Sequence, residues 1–557
     1  MNTLIMNDKK LNYSYIENMN KEQNFEVTGN YVDLANRRIY PATVIVKNGK
    51  VFDVKEDPFP KNPYFIMPGF IDSHVHIESS MLTPTEFARL STPHGTVATV
   101  SDPHEIGNVL GLEGVRYMIE NAKKTPFYFY FGAPSCVPAT TFETSGAIID
   151  ADAIGTLFKE DGLKYLSEMM NYPGVLNRDI QVMKKIEMAK KFGLPIDGHA
   201  PGLRNQDAKT YVDAGISTDH ECFKLDEALE KIKYGMKILI REGSAAKNYE
   251  ALHSLIQTNP ENIMFCSDDK HPHELVSGHI NQLVKRSIEK GYDTMDVLSI
   301  ATLHPILHYK LDVGLLRKGD AADFIIVDNL KDLNVLKTYI KGILVASDGK
   351  SLLPYQTSDI VNNFNVKEKS IEDFKSNVTD EDSPIIQAID GELITKRFDA
   401  KLNKDNPIDI QKDILKLAVI CRYNNVPPAV SFINGFGLKK GAIASSVAHD
   451  SHNIIVVGTN DADICFAVNA LIEAKGGIAI SSNSQVDILK LPIAGLMSPE
   501  DGYTVAKDYT RLDLKAKELG STLQSPFMTL SFMALLVIPS LKLSDKGLFD
   551  GTSFKFI

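Results

Sequence analysis

Eight short apolar runs between residues 65 and 305 alternate with stretches long enough for helices, and this alternation constrains the fold most strongly. Parallel strands need a crossover connection between them, usually a helix. Eight such units in about 240 residues match the size of a (β/α)8 TIM-like barrel. An open doubly wound sheet would carry a glycine-rich phosphate loop after its first strand, and none is present. The predicted strands are 65–71, 96–101, 127–131, 163–166, 194–197, 216–218, 237–240 and 263–266.

Two β-rich segments flank the predicted barrel. The run 44–54 contains Asn48-Gly49 between alternating β-branched residues, which is typical of a hairpin. Similar β-rich sequence returns at 323–327 and 339–345. We therefore predict one small β-sheet domain that combines residues 31–64 with 306–350, on either side of the barrel at 65–305.

The ends of the chain have a different character. Residues 1–30 are predicted to be a polar N-terminal lead-in, and the charge-rich stretch 351–384 a linker. Residues 385–557 are predicted to form a C-terminal α/β domain. In it, a strand at 454–458 precedes a helix over 461–474 that ends near Gly476 and Gly477.

Composition and charge exclude several classes of protein. The formal net charge is −11 with no long basic run, so neither nucleic acid nor an anionic membrane is an expected partner. The first thirty residues have no apolar segment typical of a signal peptide, and the longest apolar stretch is too short to span a bilayer. The five cysteines are scattered and never form a C-x-x-C pair. These features predict a cytoplasmic protein with reduced thiols.

Residues that bind metals or protons follow most of the predicted strands. In a barrel, the C-terminal strand ends meet at one mouth, where active sites lie. Taken singly, these residues have ordinary explanations: His199 could sit in a turn, His220 beside a helix cap at Asp219, and Glu168 at a helix start. Together they favour one metal site. The predicted site residues are His74 and His76 after the first strand, Asp102 and Glu105 after the second, Glu168 after the fourth, His199 after the fifth, His220 after the sixth and Asp268 after the eighth.

The types of ligand indicate the chemistry of this site. His74 and His76 are two residues apart, so their side chains point to the same side of an extended strand. Four imidazoles with carboxylates exceed the needs of one tetrahedral zinc, so two divalent ions bridged by an anionic group fit better. Glu168 could supply that bridge, and Asp268 is the natural general base and proton shuttle for an activated water.

The chain resembles the amidohydrolase superfamily and, within it, the bacterial adenine deaminases. The resemblance extends over essentially the whole chain after residue 30. In the barrel it is carried by Pro68-Gly69-Phe70-Ile71-Asp72-Ser73-His74-Val75-His76-Ile77-Glu78-Ser79-Ser80-Met81, Asp102-Pro103-His104-Glu105-Ile106 and Asp197-Gly198-His199-Ala200-Pro201-Gly202-Leu203. In the C-terminal part it is carried by Ser446-Val447-Ala448-His449-Asp450-Ser451-His452-Asn453 and Gly547-Leu548-Phe549-Asp550-Gly551.

This resemblance implies hydrolytic deamination of adenine to hypoxanthine and ammonia by a metal-activated hydroxide, in purine salvage. It also implies two divalent metals per subunit, with Mn²⁺ preferred and Fe²⁺ or Zn²⁺ as alternatives. Because large barrel enzymes often self-associate, a homo-oligomer is expected. The implied metal ligands are His74, His76, Glu168, His199 and His220, with Glu168 bridging. Asp268 is implied as the base and as a further metal contact.

Some assignments stay open at this stage. Asp102 and Glu105 could support the ligands, bind an additional metal or relay a proton. Glu242 could protonate a ring nitrogen, and His449 and His452 could belong to a substrate or C-terminal-domain site. The alternative functions are another hydrolase of the superfamily, such as a cyclic amide hydrolase or an N-acetyl sugar deacetylase, or a catalytically inactive scaffold.

Overall fold

The computed structural model describes residues 24–58, 62–376, 378 and 382–557. Of the predicted lead-in at 1–30, residues 1–23 lie outside the described residues, and residues 25–30 belong to the first strand, so the end of the lead-in was placed too late. The strands before the barrel are β1 (Phe25–Asp33), β2 (Arg38–Lys47), β3 (Lys50–Glu56) and β4 (Phe65–Pro68).

Eight parallel strands then form a TIM-barrel-type α/β fold. Regular parallel pairing links β5 to β6 and β7, β8 to β9, and β10 to β11 and β12. Bridges at Ala133–Leu166 and Val75–Asp268 join β7 to β8 and β5 to β12, and Ser217 N donates to the carbonyl of Ile196 between β9 and β10. These strands are β5 (Phe70–Val75), β6 (Thr96–Ser101), β7 (Tyr128–Phe131), β8 (Leu166–Met169), β9 (Ile196–Gly198), β10 (Thr218–Asp219), β11 (Lys237–Arg241) and β12 (Ile263–Cys266).

The strand limits differ from the prediction in an informative way. The predicted strand 65–71 is two strands, β4 and β5, separated at Gly69. A Cβ on Gly69 would lie 2.3 Å from a methyl group of Val97, so only glycine allows this close approach. The predicted strand 163–166 is observed at Leu166–Met169, and those at 194–197 and 216–218 also begin later. An apolar run shows which part of a strand is buried in the core. The strand itself extends further, because backbone pairing continues into the polar residues at its C-terminal end.

Helices connect the barrel strands and pack outside them. Their apolar faces join the buried clusters around the strands. The α-helices up to the end of the barrel are Pro84–Ser91, His104–Leu110, Leu112–Ala122, Ala151–Glu160, Tyr172–Leu176, Ile180–Phe192, Asn205–Asp213, Leu225–Lys233, Tyr249–Leu252, Leu255–Thr258, Pro272–Ser277, Ile280–Glu289, Thr294–Ile300 and Leu303–Tyr309.

An eight-stranded sheet combines segments from before and after the barrel. Its order is β16-β15-β14-β13-β4-β1-β2-β3, so β4 lies between the two groups. The hairpin of β2 and β3 turns at Asn48 and Gly49, both at positive φ, as its sequence predicted. The later strands are β13 (Phe324–Val327), β14 (Val335–Ile340), β15 (Ile343–Ser347) and β16 (Lys350–Ser351).

The C-terminal part contains a second eight-stranded sheet, in the order β18-β17-β20-β19-β22-β21-β23-β24. The helix Asp461–Ala474 matches its predicted limits and covers one face of this sheet, and the helices Gly502–Glu518 and Pro526–Phe532 follow. The strands are β17 (Ser383–Gln387), β18 (Lys396–Ala400), β19 (Leu415–Ile420), β20 (Ala429–Asn434), β21 (Ala442–Ser445), β22 (Ile454–Gly458), β23 (Gly477–Ser482) and β24 (Gln485–Lys490), with β25 (Leu541–Ser544), β26 (Gly547–Asp550) and β27 (Lys555–Phe556) in a small third sheet.

The predicted linker is more tightly packed than its charge suggested. Val366 and Phe374 are buried in the core of the second sheet, and Asn365 N donates to the carbonyl of Arg422. Asn362 adds to this packing, because its Nδ2 donates to the carbonyls of Lys475 and Pro492. Within the described part of the chain, none of the helices has the length and apolar character needed to cross a membrane.

Candidate metal centre and active site

Glu168 lies at the centre of the barrel mouth, with imidazoles on both sides of its carboxylate. Its Oε1 is 3.3 Å from Nε2 of His76, and its Oε2 is 2.8 Å from Nδ1 of His199. The same Oε2 lies 3.2 Å from Nε2 of His220. All four side chains are buried. The strand ends therefore bring β5, β8, β9 and β10 together at one carboxylate.

A first group of donor atoms contains His76, which contacts Oε1 of Glu168, and His74, whose Nε2 is 4.0 Å from Oε2. Nε2 of His74 and Nε2 of His76 face each other at 3.2 Å, and Oδ1 of Asp268 is 3.4 and 3.2 Å from them, respectively. Ligands bound to one ion by bonds of about 2.1 Å lie about 3.0–3.4 Å apart. The spacing of these donors therefore fits the coordination shell of a single divalent ion.

The tautomer of His76 supports the same conclusion. Its Nδ1 is 3.2 Å from the carbonyl oxygen of Asp102, which can only accept, so Nδ1 carries the proton. Nε2 of His76 is then left with a free lone pair that points at His74 and the carboxylates. This arrangement, in which the remote nitrogen is fixed by a backbone carbonyl, is typical of histidines that bind metals.

Buried polar contacts hold the ligand-bearing strand ends in place. The carboxylate of Asp219 accepts from Ala200 N at 3.3 Å and from Glu221 N at 2.9 Å, and so fixes the backbone beside His199 and His220. Nζ of Lys231 balances the charge of Asp219 at 2.5 Å. On the other side of the mouth, Asp72 accepts from Ser267 N and joins β5 to the end of β12.

The electrostatics of the cluster are those of a site for cations. Burial would raise the pKa of Glu168, but the imidazole of His199 and its neighbours hold this pKa well below its usual range. Burial lowers the pKa of His199, yet the carboxylates of Glu221 and Glu168 outweigh it and raise the pKa to about 9. Burial and the adjacent His74 lower the pKa of His220. The neighbouring imidazoles cannot all be protonated without repelling one another. A divalent ion bound by neutral imidazoles would supply the positive charge that the carboxylates require.

Arg241, the last residue of β11, connects two carboxylates at the mouth. Its guanidinium donates to Glu221 and, at 2.5 Å, to Oδ2 of Asp268. Burial would raise the pKa of Asp268, but Arg241 and the nearby His74 keep this pKa well below its usual range. Asp268 is therefore held as an ionised acceptor.

Asp102 lies beside the cluster rather than at its centre. Its Oδ2 is 3.1 Å from Nδ1 of His104, whose ring is 3.6 Å from Oε1 of Glu168. His104 is in turn 3.8 Å from the carboxylate of Asp450. These contacts form a chain of titratable groups that leads from Glu168 into the C-terminal part of the protein.

Glu105 belongs to a second cluster that joins the barrel to the C-terminal domain. Its Oε1 is 3.2 Å from Nδ1 of His449 and accepts from Ser79, and its Oε2 is 3.8 Å from Nε2 of His452. Ala448 N donates to Nδ1 of His452, so the proton of this imidazole lies on Nε2. In this tautomer Nε2 of His452 has no lone pair for a metal ion, and at 3.8 Å it is too far from Glu105 for a hydrogen bond.

A small cavity opens above Glu168 between the barrel mouth and the C-terminal domain. Its floor is polar and carries the candidate metal ligands, and its opposite side contains apolar residues. The lining residues are His76, His104, Glu168, Met170, His199, Glu221, Asp268, Asp269, Leu393, His449, Asp450, Phe532 and Leu535.

Glu242 does not join this site. Its carboxylate accepts from Arg286 at 3.1 Å and lines a separate cavity beside Lys270. The structure thus places Glu242 outside this cavity, whereas Glu221 lines it. The alternation of side chains along a strand predicts this position of Glu242: Arg241 points into the mouth, so the next residue points to the other side.

Sequence reasoning also missed residues that the C-terminal domain supplies. Asp450, Phe532 and Leu535 line the cavity although they lie far from the barrel in sequence. The prediction had named His449 without a role, and its ring stacks on Phe532 with centroids 5.0 Å apart. No local sequence signal indicates that these side chains reach the barrel mouth.

The barrel fold, together with imidazoles and carboxylates at its C-terminal mouth, defines the class of metal-dependent hydrolases. Comparison with known families agrees: residues 65–345 match the amidohydrolase family and residues 392–555 match the adenine deaminase C-terminal domain.

Individual relatives resemble the chain along nearly its whole length. An adenine deaminase from Sulfurovum sp. is 56% identical over 96% of this chain and 99% of its own, and one from Salinibacter ruber is 52% identical over 96% and 98%. One from Parabacteroides distasonis is 50% identical over 97% and 99%. The chain belongs to the amidohydrolase family and, within it, to the adenine deaminases.

Proposed function

We propose that this protein catalyses the hydrolytic deamination of adenine to hypoxanthine and ammonia, as a step of purine salvage. Membership of the adenine deaminases supports adenine as the substrate. The cavity carries the ligand cluster on its floor and apolar side chains opposite, so a heterocycle bound there would turn its polar edge to the cluster. No observation favours a cyclic amide or an acetylated sugar.

The observation that carries the proposal is the division of the Glu168 carboxylate between two groups of donors. Oε1 faces His76 at 3.3 Å, and Oε2 faces His199 and His220 at 2.8 and 3.2 Å. Glu168 would contribute a ligand to each of two divalent ions. His74, His76 and Asp268 would complete the first ion's ligands, and His199 and His220 the second's. Mn²⁺ is the preferred metal, and Fe²⁺ or Zn²⁺ would suit the same ligand types.

The metals, when bound, supply Lewis-acid activation of the water that attacks the purine. Asp268, held ionised by Arg241, accepts a proton from that water at Oδ1 and passes it to the departing amino group. A C–O bond forms at the ring carbon that bears the amino group, the C–N bond breaks, and ammonia leaves.

A ring nitrogen must also gain a proton while the oxygen adds. Glu221 lines the cavity while Glu242 does not, but both of its oxygens accept from Arg241, so it is placed to orient the ring rather than to donate this proton. The added hydroxyl gives up its own proton when it becomes the carbonyl of hypoxanthine. Asp102 and His104 support Glu168 from the side and offer a path for protons toward Asp450. Asp102 and Glu105 are not needed as metal ligands in this assignment.

The domain division proposed here follows the sheets. Residues 31–64 and 306–350 form the composite sheet domain, residues 65–305 the catalytic barrel, and residues 385–557 the α/β domain that closes the cavity. The order of strands in the two eight-stranded sheets supports this division in outline, except that β1 begins at Phe25 and β4 (Phe65–Pro68) belongs to the composite sheet.

Ammonia release tests the proposal. The purified protein, loaded with Mn²⁺, is incubated with adenine, dihydroorotate, hydantoin or N-acetylglucosamine 6-phosphate, and ammonia and hypoxanthine are measured for adenine and ring opening or acetate for the others. Turnover of adenine alone supports the proposal. Turnover of any of the other three with none of adenine contradicts it.

A further inference from the structure

The apolar side of the cavity comes from two separate segments of the C-terminal domain. Leu393 precedes β18, whereas Phe532 and Leu535 lie at and beyond the end of the helix Pro526–Phe532. We refer to Leu393, Phe532 and Leu535 together as the roof. Because the roof faces the metal cluster across a narrow cavity, a small shift of either segment would change the space available to a bound purine.

Lys542, in β25, holds these two segments together. Its side chain is fully buried, and its Nζ donates to the carbonyl oxygen of Leu393 at 2.6 Å and to that of Phe532 at 2.8 Å. The carbonyl of Phe532 also accepts from Leu535 N at 3.2 Å. One amino group thus contacts the backbone of both roof segments and, through Phe532, reaches the third roof residue.

Burying the amino group of Lys542 destabilises the fold unless its hydrogen bonds compensate for the lost contact with water. Burying an amino group costs several kcal/mol unless it is paired or hydrogen-bonded. The partners found for Lys542 among the described residues are the two carbonyls, and its pKa is lowered by burial to about 7. An apolar side chain of similar size, such as methionine, would fill the same volume without this desolvation cost. What lysine provides in addition is the pair of hydrogen bonds to the roof.

We propose that Lys542 is a positioning residue for the substrate: by fixing the carbonyls of Leu393 and Phe532, it sets the distance between the roof and the metal cluster. This inference rests on the proposed function, since it assigns the roof to adenine. Lys542 does not line the cavity, and it acts only through the roof residues. Its loss should therefore weaken adenine binding far more than it slows the chemical step.

Lys416 provides a matched control in the same domain. It is also a buried lysine in a strand, and its Nζ donates to the carbonyl of Phe374 at 2.8 Å and contacts Asp461. Neither partner lines the cavity. A Lys416→Met variant thus removes a buried amino group that also donates to a backbone carbonyl, without touching the roof.

The experiment measures KM and kcat for adenine, and inhibition by hypoxanthine, in full-length Mn²⁺-loaded wild type, Lys542→Met and Lys416→Met. We expect Lys542→Met to raise KM and the inhibition constant about tenfold, with kcat within about threefold and metal content unchanged. Lys416→Met should leave KM unchanged. If Lys542→Met does not fold, Lys542→Gln, which keeps a donor but is too short to reach both carbonyls, should raise KM in the same way.

Three outcomes would overturn the inference. These are an unchanged KM in the Lys542 variants, an equal rise of KM in Lys416→Met, or a loss of kcat in Lys542→Met that matches the rise in KM. An inactive wild type on adenine would instead refute the proposed function. The two failures are therefore separable.

Discussion

The guanidinium of Arg241 donates to Oδ2 of Asp268 at 2.5 Å, while Oδ1 of the same carboxylate faces the imidazoles of His74 and His76. One oxygen of Asp268 is thus committed to a fixed positive charge, and the other is directed at the candidate metal cluster. This division orients the carboxylate and keeps it ionised, which is what a proton acceptor at the reacting water requires.

Removing this positive charge should slow the chemical step. In Arg241→Gln, Asp268 and Glu221 lose their shared partner, and we expect kcat for adenine to fall by about a hundredfold. Steady-state kinetics on the Mn²⁺-loaded variant measures this. Arg286→Gln is the control, because Arg286 pairs with Glu242 and Glu250 away from the cavity, and its kcat should stay within about twofold of wild type. Equal losses in both variants would exclude a specific role for Arg241.

The buried pair of Asp219 and Lys231 should govern stability and ligand placement. Asp219→Asn leaves Lys231 with less charge compensation and loosens the backbone beside His199 and His220. We expect a loss of about 3–5 kcal/mol in the free energy of unfolding. Denaturant unfolding of the metal-free protein measures this loss, so that metal binding does not mask it. A stability equal to wild type would show that the pair contributes little.

The tautomer of His452 predicts that the Glu105 cluster holds no metal. Since Ala448 N donates to Nδ1 of His452, Nε2 carries a proton and cannot bind an ion. His452→Asn should therefore leave the metal content unchanged at about two ions per chain. Elemental analysis decides this. The loss of one ion per chain in this variant would establish a third metal site and refute this assignment of the His452 tautomer.

Lys542 should make stability depend on pH in a defined direction. Burial lowers its pKa to about 7 in the folded protein from an ordinary value of 10.5. Between these values the unfolded chain binds the additional proton, so stability contributed by this group rises with pH, by at most about 1.4 kcal/mol per pH unit. Unfolding of wild type and Lys542→Met from pH 7 to pH 10 measures the difference. A difference that falls with rising pH would contradict this.

The barrel and its ligand-bearing strand ends were predictable because they rest on local patterns. The strands at 96–101 and 263–266 agree with the predicted limits, since each is a short apolar run bounded by polar residues. His74 and His76 share one side of an extended segment for the same reason that any residues two apart do. The convergence of the strand ends then follows from the barrel itself.

The cavity above the metal cluster was not predictable from such patterns. Phe532, Leu535 and Asp450 reach it only through the packing of the C-terminal domain on the barrel, and this packing has no periodic signal in the sequence. The placement of Lys542 between two roof segments is likewise a tertiary feature. The homo-oligomeric state stays a prediction.

The most direct test of the paired-metal account is the metal content of wild type and Glu168→Gln, measured by elemental analysis alongside adenine turnover. The account predicts about two ions per chain in wild type, loss of activity on chelation and its return with Mn²⁺, and a marked fall of both ions and turnover in Glu168→Gln. Glu242→Gln, outside the cluster, should behave as wild type. Full metal content and unchanged turnover in Glu168→Gln would contradict the account.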